Sequence, residues 1–409
     1  MEKSLECGGV QVTVACRPYP LRLRSTFGTS HSSTTCRTNG LVEVRMGEWR
    51  GYGECGLPPK KPNVYLADLA DVQSYVAAYL RHVEVVLAPG GPGGDYCPFQ
   101  GLPVHYFAEW RTIARGAHEE TMRRLLFALD SCPQNEDPSS RPARNALEMA
   151  LLDLWGKMLN RPVYSVIGVG NVPKACFYTI GISDVEEMLG SLDFGLRFTH
   201  YLKIKLNRNI DFGMKVLSHI KEVLDSRNIK DFKFVIDANA DWDVETAEKY
   251  LHFLKTYQDL IYMVEQPFPV TITNEEYPKW RLLKDKYYEQ GILICADESV
   301  STSSGIKDIK QIANMVNIKL DKTGGIREAL RTVEVARKEN LVIWFGLMVC
   351  SSLSTRATAT LLPLATFGGD LDGSLLILDE SDLFQSNLIW DSTGNVTLSN
   401  HPGLGATLK

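Results

Sequence analysis

The feature that most restricts the fold of this chain is a strand and helix repeat that begins near Cys176. Six runs rich in β-branched residues alternate with amphipathic stretches: HYLKIKL, FKFVIDA, IYMVEQP, ILICADE, MVNIKLD and LVIWFGL. Their ends, near residues 205, 237, 265, 297, 319 and 346, lie 32, 28, 32, 22 and 27 residues apart. Each interval holds one strand, one crossover helix and two loops. The repeat predicts an α/β fold with a (β/α) barrel of the TIM type, and an open doubly wound sheet is the alternative.

A second domain is expected beside this repeat, because 409 residues exceed one typical core. Residues 11–53 alternate as in a small antiparallel sheet, interrupted by a polar stretch, TSHSSTTCRTNG, that predicts a mobile hairpin loop. Apolar side chains three and four positions apart predict a helix over residues 144–159. We therefore expect an N-terminal domain over residues 1–174, the barrel over residues 175–368, and a C-terminal segment over residues 369–409 that returns to the first domain.

Composition and charge exclude several classes of partner. The chain has 44 basic and 49 acidic residues, a net charge of −5, so it lacks the positive surface that nucleic acid or an anionic membrane attracts. No stretch has the roughly 20 apolar residues of a membrane span, and the first residues lack the apolar core of a secretory signal, which favours a cytoplasmic location. The nine cysteines are scattered, with no C-x-x-C pair for zinc or redox chemistry. A small molecule is the expected partner, and the oligomeric state is left open, a homo-oligomer included.

Charged side chains stand at or near the end of five consecutive strands of the repeat. A charge at such a buried position is costly unless it is paired or bound to a metal. In a (β/α) barrel the C-terminal ends of the strands form one mouth, where catalytic side chains collect. One shared site is therefore expected for six residues: Lys203, Lys205, Asp237, Glu265, Asp297 and Lys319.

The three carboxylates of this set predict a magnesium site. Asp237, Glu265 and Asp297 come from neighbouring strands, with no histidine or cysteine among them. Such a hard oxygen site suits Mg²⁺, which keeps open positions for water or a substrate oxygen. We expect one Mg²⁺ per subunit, held by these three side chains.

The lysines predict proton transfer beside this metal. Lys203 and Lys205 are two residues apart, so they point to the same face of a strand, and their mutual repulsion would lower a pKa until one of them is a neutral base near pH 7. Lys319 would approach the site from another side. One lysine could then remove the proton α to a substrate carboxylate while Mg²⁺ stabilises the enediolate. A second lysine that returns the proton to the opposite face would invert the stereocentre.

In its motifs the chain resembles the enolase superfamily, in its muconate-lactonizing branch, from about Gln11 to Gly405. The motifs that carry the resemblance are Lys203-Ile-Lys205, Asp237-Ala-Asn239, Glu265-Gln266-Pro267, Asp297-Glu298-Ser299 and Asn317-Ile-Lys319. The resemblance implies a modified, enolase-like TIM barrel with an α+β capping domain built from the N-terminal and C-terminal segments. It also implies that the three carboxylates are the metal ligands, that Lys205 and Lys319 form the opposed acid/base pair, and that Lys203 tunes Lys205.

The sequence Asp370-Leu-Asp372 narrows the expected substrate. The two carboxylates share a face in period-2 geometry, and without a cation in that segment they suit a bound ammonium group. A D-x-D at this place resembles the dipeptide epimerases, which implies that Asp370 and Asp372 hold the α-ammonium of a dipeptide whose C-terminal carboxylate binds Mg²⁺. The same resemblance implies a substrate contact at Thr179, and closure of loops near Phe27 and residues 53–59 over the substrate.

Two departures from the family pattern bear on the side-chain pocket. Members that act on Ala-Glu carry an arginine five residues after the phenylalanine that matches Phe27, whereas this chain has Ser32, so an acidic dipeptide is not favoured. On the seventh strand the family usually reads Met-x-Glu, whereas here Cys350 replaces the glutamate and leaves the mouth less negative. Leu347 and Val349 are expected to shape an apolar pocket.

The expected activity is a Mg²⁺-dependent dipeptide epimerase that inverts the α-carbon of the C-terminal residue. Other reactions through the same enediolate are the alternatives: cycloisomerisation, o-succinylbenzoate synthesis or N-acylamino-acid racemisation. Two hypotheses from other functional classes also remain. One is a Schiff-base lyase that uses Lys205 or Lys319 as the imine former, and the other is a binding protein that has lost catalysis.

Overall fold

The first part of the chain forms an antiparallel sheet. The structure, a computed structural model, describes residues 1–7, 9–93, 95–108, 110, 116–257 and 259–409. The sheet has the strand order β1-β2-β3-β4, with bounds β1 (Glu2–Cys7), β2 (Val10–Gly28), β3 (Ser33–Met46) and β4 (Trp49–Cys55). The predicted hairpin loop is wrong in its length. Only residues 29–32 form the turn, because the backbone ladder with β2 continues through the polar side chains to the pair Gly28↔Ser33.

Helices cover one face of this sheet. Their bounds are α1 (Leu69–Leu87), α2 (Ala117–Asp130), α3 (Arg141–Met158) and α4 (Val163–Ile167). Helix α3 agrees with the helix predicted over residues 144–159, but it begins three residues earlier and ends one residue sooner. It lies directly on β4 because that strand has glycines there: a Cβ at Gly53 would stand 1.8 Å from the carbonyl oxygen of Ala146.

The predicted barrel is confirmed. Its parallel strands are β5 (Lys174–Cys176), β6 (Tyr178–Ile180), β7 (Tyr201–Lys205), β8 (Lys233–Asp237), β9 (Ile261–Glu265), β10 (Leu293–Ala296), β11 (Met315–Ile318), β12 (Val342–Gly346) and β13 (Gly368–Asp370). Strand β6 pairs with β7, and β5 pairs with β13. Only Phe177 separates β5 from β6, and its backbone N–H donates to Gly369. Residues 174–180 therefore act as one strand that closes a ring of eight.

Helices connect these strands on the outside. Their bounds are α5 (Val185–Gly195), α6 (Ile210–Ser226), α7 (Val244–Leu254), α8 (Tyr277–Glu289), α9 (Ile306–Ile309), α10 (Leu320–Thr323), α11 (Ile326–Lys338), α12 (Ser352–Ala359) and α13 (Gly373–Leu376). The inside of the ring is packed by side chains, as in other barrels of this kind: Ala175, Phe177, Val235, Met263, Cys295, Met315 and Trp344. None of the helices in the described ranges combines the length and the apolar composition of a membrane span.

The end of the chain crosses from the barrel to the first sheet. Strand β13 spans the predicted boundary at residues 368 and 369, since it pairs with β12 as the eighth strand of the ring. After it come β14 (Phe384–Gln385), β15 (Leu388–Trp390), β16 (Asn395–Leu398) and β17 (Thr407–Leu408). The backbone N–H of Leu378 donates to Arg22 over 2.7 Å, and that of Leu404 donates to Asp153 over 2.8 Å.

Buried polar contacts fix the N-terminal sheet and helices on the barrel. Arg327 of α11 reaches Glu148 of α3, with 2.8 Å between its Nε and the carboxylate. Glu54 of β4 accepts from the backbone N–H of Ser351, over 3.1 Å. Asp321 of α10 accepts from the backbone N–H of Gly56, over 3.2 Å. These contacts place the end of β4 and the segment that follows it above the mouth of the barrel.

Candidate active site

The alternation of side chains along each strand places the charged residues at the mouth. Val235, Met263 and Cys295 point into the barrel. Residues two positions later face the same way, which brings Asp237, Glu265 and Asp297 to the top of the interior. The registers agree: Asp237 lies opposite Glu265, which lies opposite Cys295. The three predicted ligands are all fully buried, with at most 1% of each residue exposed.

Ammonium groups hold these carboxylates together in the structure. Among the described residues there is no ready-made cluster of three metal-ligating side chains. Glu265 Oε2 is nevertheless buried without a well-directed hydrogen bond from any described residue, although Lys203 Nζ lies 2.9 Å away. An oxygen-only donor set with one unsatisfied carboxylate oxygen fits a hard divalent cation such as Mg²⁺.

Lys203 lies among carboxylates and not only beside another lysine. Its Nζ is 3.2 Å from Asp237 Oδ2, 3.0 Å from Glu265 Oε1 and 3.0 Å from Asp370 Oδ2. Burial by itself lowers the pKa of Lys203, but these carboxylates outweigh burial and hold that pKa well above its ordinary value. Lys203 therefore stays a positive charge beside Lys205, and sequence spacing did not show how many carboxylates surround it.

Lys205 and Lys319 approach the site from opposite sides. Lys205 Nζ donates to Asp237 Oδ2 over 2.7 Å and to Asn239 Oδ1 over 2.9 Å. Lys319 Nζ donates to Asp297 Oδ2 over 2.6 Å. Their strands, β7 and β11, are four positions apart in a ring of eight, so the two side chains face each other across the mouth. Burial disfavours the Asp297 carboxylate, but the neighbouring ammonium groups hold its pKa well below its usual range.

Sequence reasoning assigned no role to two further polar side chains that touch the carboxylates. Lys322 binds the Asp297 carboxylate from the same short helix that follows Lys319. The spacing of three residues between the two lysines, one helical turn, was the available signal. Asn317 Nδ2 donates to Glu265 Oε1 over 3.0 Å, and its position two residues before Lys319 places it on the same inward face.

Asp370 and Asp372 differ in their surroundings. Asp370 accepts from Lys203 and from Trp344 Nε1, so a cation from another strand does lie beside this pair. Asp372 accepts from the backbone N–H of Thr179 over 2.6 Å. Burial raises the pKa of Asp372 to about 6, and an ionised carboxylate there would be stabilised by a bound cation. Asp372 is therefore the better placed of the two for an ammonium group.

The remaining predicted contacts line a single cavity of about 340 Å³. They are Phe27, Ser32, Thr179, Leu347 and Val349. The turn over the cavity is held to the end of β8, since His31 Nε2 lies 2.8 Å from the carbonyl oxygen of Asn239. An apolar pocket was expected around Leu347 and Val349. The cavity as a whole is not apolar, because three basic side chains also line it: Arg37, Lys60 and Lys61. They come from the expected capping domain, but the sequence did not show which of its side chains face the cavity.

Comparisons with known proteins agree with this architecture. A family model described as "Enolase C-terminal domain-like" matches residues 195–409. The chain is 39% identical to an enolase superfamily member of Dictyostelium discoideum, over all of this chain and 99% of that protein. It is 28% identical to an L-Ala-D/L-Glu epimerase of Bacteroides thetaiotaomicron, over 95% of this chain and 86% of that protein.

Two solved structures illustrate the likeness of fold. The substrate-liganded complex of the L-Ala-D/L-Glu epimerase from Bacillus subtilis has a TM-score of 0.72 and 20% identity, over 97% of this chain and 99% of that chain. The dipeptide epimerase from Methylococcus capsulatus, complexed with Mg and the dipeptide L-Arg-D-Lys, has a TM-score of 0.70 and 22% identity, over 96% and 98% of the two chains.

Proposed function

Because this chain belongs to the enolase superfamily, we propose that it is an isomerase that inverts the α-carbon of the C-terminal residue of a dipeptide. The observation that carries the proposal is the placement of Lys205 and Lys319 on opposite sides of one buried carboxylate cluster. Inversion requires one group that removes a proton and another that delivers it to the opposite face.

The two lysines have distinct tasks in each direction. With the substrate α-carbon between them, the uncharged amine of Lys205 takes the α-proton from one face, and the ammonium of Lys319 donates a proton to the other. The reverse reaction exchanges these tasks. Each Nζ is held in place by a carboxylate, Asp237 for Lys205 and Asp297 for Lys319, so that neither has to be ordered during the reaction.

The donor set supports one Mg²⁺ as cofactor, held by Asp237, Glu265 and Asp297. When bound, this ion would supply positive charge that acidifies the α-proton and stabilises the negative charge that develops on the substrate carboxylate. Lys203 adds a fixed positive charge beside the same carboxylates. A structure of similar fold is complexed with Mg and a dipeptide, which supports the same pairing here.

Asp372 supports the choice of a dipeptide over related substrates. Its buried carboxylate lies two residues after β13, and a hydrogen bond from the backbone N–H of Thr179 fixes its orientation. An α-ammonium bound there and a carboxylate bound near the three ligands would hold a molecule at both ends. Substrates of the alternative reactions lack that ammonium, so acylation of the dipeptide amine should abolish productive binding.

Deuterium exchange tests the proposal. The protein is incubated with Mg²⁺ and a dipeptide library in D₂O, and mass spectrometry follows gains of one mass unit. Label is expected only at the α-carbon of the C-terminal residue, and EDTA should prevent it. Lys205→Ala and Lys319→Ala should each abolish epimerisation, with exchange surviving in one variant for a single stereoisomer. Lys221→Ala, at an exposed pair with Asp225, is the control.

Three results would contradict the proposal. Label in both lysine variants with either isomer would exclude the two-base assignment. Trapping of substrate by borohydride, together with insensitivity to EDTA, would favour the imine chemistry of a lyase. Absence of exchange with every dipeptide would leave a binding protein. A cytoplasmic location and a homo-oligomeric state stay predictions from the sequence.

A further inference from the structure

The guanidinium group of Arg37 lies in the wall of the cavity. Arg37 of β3 lines the cavity and is half-buried, and no described residue forms a hydrogen bond or an ion pair with its side chain. Burial lowers the pKa of Arg37, as expected for a cation that loses water and gains no carboxylate. Lys60 differs, because its Nζ lies 2.9 Å from Asp68 and 2.8 Å from Asp71.

The neighbours of Arg37 locate it on the β12 and β13 side of the mouth. Arg37 and Asn39 are two residues apart in a regular part of β3, so they share a face. Asn39 Nδ2 donates to the carbonyl oxygen of Val349 over 3.0 Å, and Val349 follows β12. Strand β12 pairs with β13, after which comes Asp372. Arg37 and Asp372 therefore belong to the same side of the cavity.

Ser32 lies on the other side. The turn that carries it is fixed by His31 to Asn239 and by Ser30 to Ala238, both just beyond β8. Strand β8 is four positions from β12 in the ring of eight, and therefore opposite to it. An anion at Arg37 would thus bind across the mouth from the position of Ser32.

We propose that the cavity selects dipeptides whose N-terminal residue carries an acidic side chain, and that Arg37 binds that carboxylate. This inference rests on the proposed function, in which Asp372 holds the α-ammonium. The N-terminal side chain leaves the carbon that carries this ammonium, so it starts on the side where Arg37 lies. A planar guanidinium can bind a carboxylate through two parallel hydrogen bonds. Lys61 adds a second positive charge to the lining of the cavity.

Matched dipeptides test the inference. L-Glu-L-Ala is compared with its neutral isostere L-Gln-L-Ala, and L-Ala-L-Glu with L-Ala-L-Gln, as kcat/KM for exchange at the C-terminal α-carbon. We expect at least a tenfold preference for Glu over Gln in the first position and less than threefold in the second. Arg37→Gln should bring the first ratio close to 1, and Arg37→Lys should retain part of it. Arg45→Gln, on the same strand but paired with Glu43, should leave the ratio unchanged.

The outcomes separate this inference from the proposed function. A first-position ratio near 1, or one that Arg37→Gln does not change, overturns the inference while epimerisation stands. A preference for Glu in the second position overturns it as well. If no dipeptide is turned over, the proposed function is wrong. The affinities of L-Glu-L-Ala and L-Gln-L-Ala, measured by calorimetry, then test the role of Arg37 separately. Tighter binding of the acidic dipeptide that depends on Arg37 supports the inference, and equal binding overturns it.

Discussion

The buried side chain of Asp321 is expected to make the free energy of unfolding depend on pH. Asp321 lies between the barrel and the first domain, where its Oδ1 accepts from Gly56 N–H over 3.2 Å and from Asn145 Nδ2 over 2.9 Å. Only 7% of the residue is exposed. Burial raises the pKa of Asp321 from its ordinary 3.8 to about 7. Gly56 leads into the segment that covers the cavity, so this contact also supports the site.

The sign and size of the effect follow from linkage. The unfolded chain releases this proton near pH 3.8, whereas the folded protein releases it only near pH 7. Ionisation therefore opposes folding: stability is full below pH 3.8, falls as the pH rises to 7, and is constant above. The difference between the two pKa values corresponds to about 4 kcal/mol. Asparagine keeps the accepting oxygen and cannot ionise, so Asp321→Asn should raise the free energy of unfolding by up to about 4 kcal/mol above pH 7.

Urea unfolding at pH 5, 6, 7 and 8, followed by circular dichroism, measures the effect. The difference in the free energy of unfolding between Asp321→Asn and the unmodified protein should increase steadily with pH up to 7. Asp225→Asn is the matched control, because Asp225 is exposed, and its effect should stay within about 0.5 kcal/mol. A difference that does not change between pH 5 and pH 8, or a variant that is less stable at pH 8, would show that Asp321 is not protonated by burial.

Three further variants test other contacts. Arg327→Met leaves Glu148 buried without its cation and should lower the free energy of unfolding by about 3–5 kcal/mol, measured in urea; the exposed Arg337→Met should have little effect. Gly28→Ala places a Cβ 1.9 Å from the carbonyl oxygen of Ile182, so the adjacent turn over residues 29–32 must shift. We expect kcat/KM to fall at least tenfold. An unchanged kcat/KM would contradict a role of this turn in covering the site. Asn317→Leu removes a donor to Glu265 and should weaken Mg²⁺ binding by about 10–100-fold in calorimetry; equal affinity would show that this contact does not orient the ligand.

Much of the fold could be predicted from the sequence because its signals are local and periodic. The barrel follows from apolar runs that recur at regular intervals, and the carboxylates follow from their place near the end of each run. The alternation of side chains then explains why Asp237, Glu265 and Asp297 share one interior surface. Strand β13 could not be predicted in this way, because it has only three residues, two of them glycine, and therefore no periodic pattern.

Other features depend on contacts between distant parts of the chain. The spacing of Lys203 and Lys205 suggested repulsion, yet three carboxylates from other strands surround Lys203. Asp370 has no cation in its own segment but accepts a hydrogen bond from Lys203 of β7. The polar residues 33–40 were expected to form a loop, whereas backbone pairing with β2 makes them a strand. In each case the stabilising interaction is made with residues far away in the sequence, so the local sequence does not predict it.

The barrel, the order of charged residues around its mouth and the chemistry that those residues allow can all be predicted from the sequence, because each depends on residue type and spacing along one strand. The pairing of charged side chains cannot, because it depends on which parts of the chain meet in the fold. Arg37 illustrates the difference. It has no ion-pair partner in the part of the chain that the structure describes, because the first domain carries it over the loop after β12. Electrostatic energy depends on distance in space, not on distance along the chain.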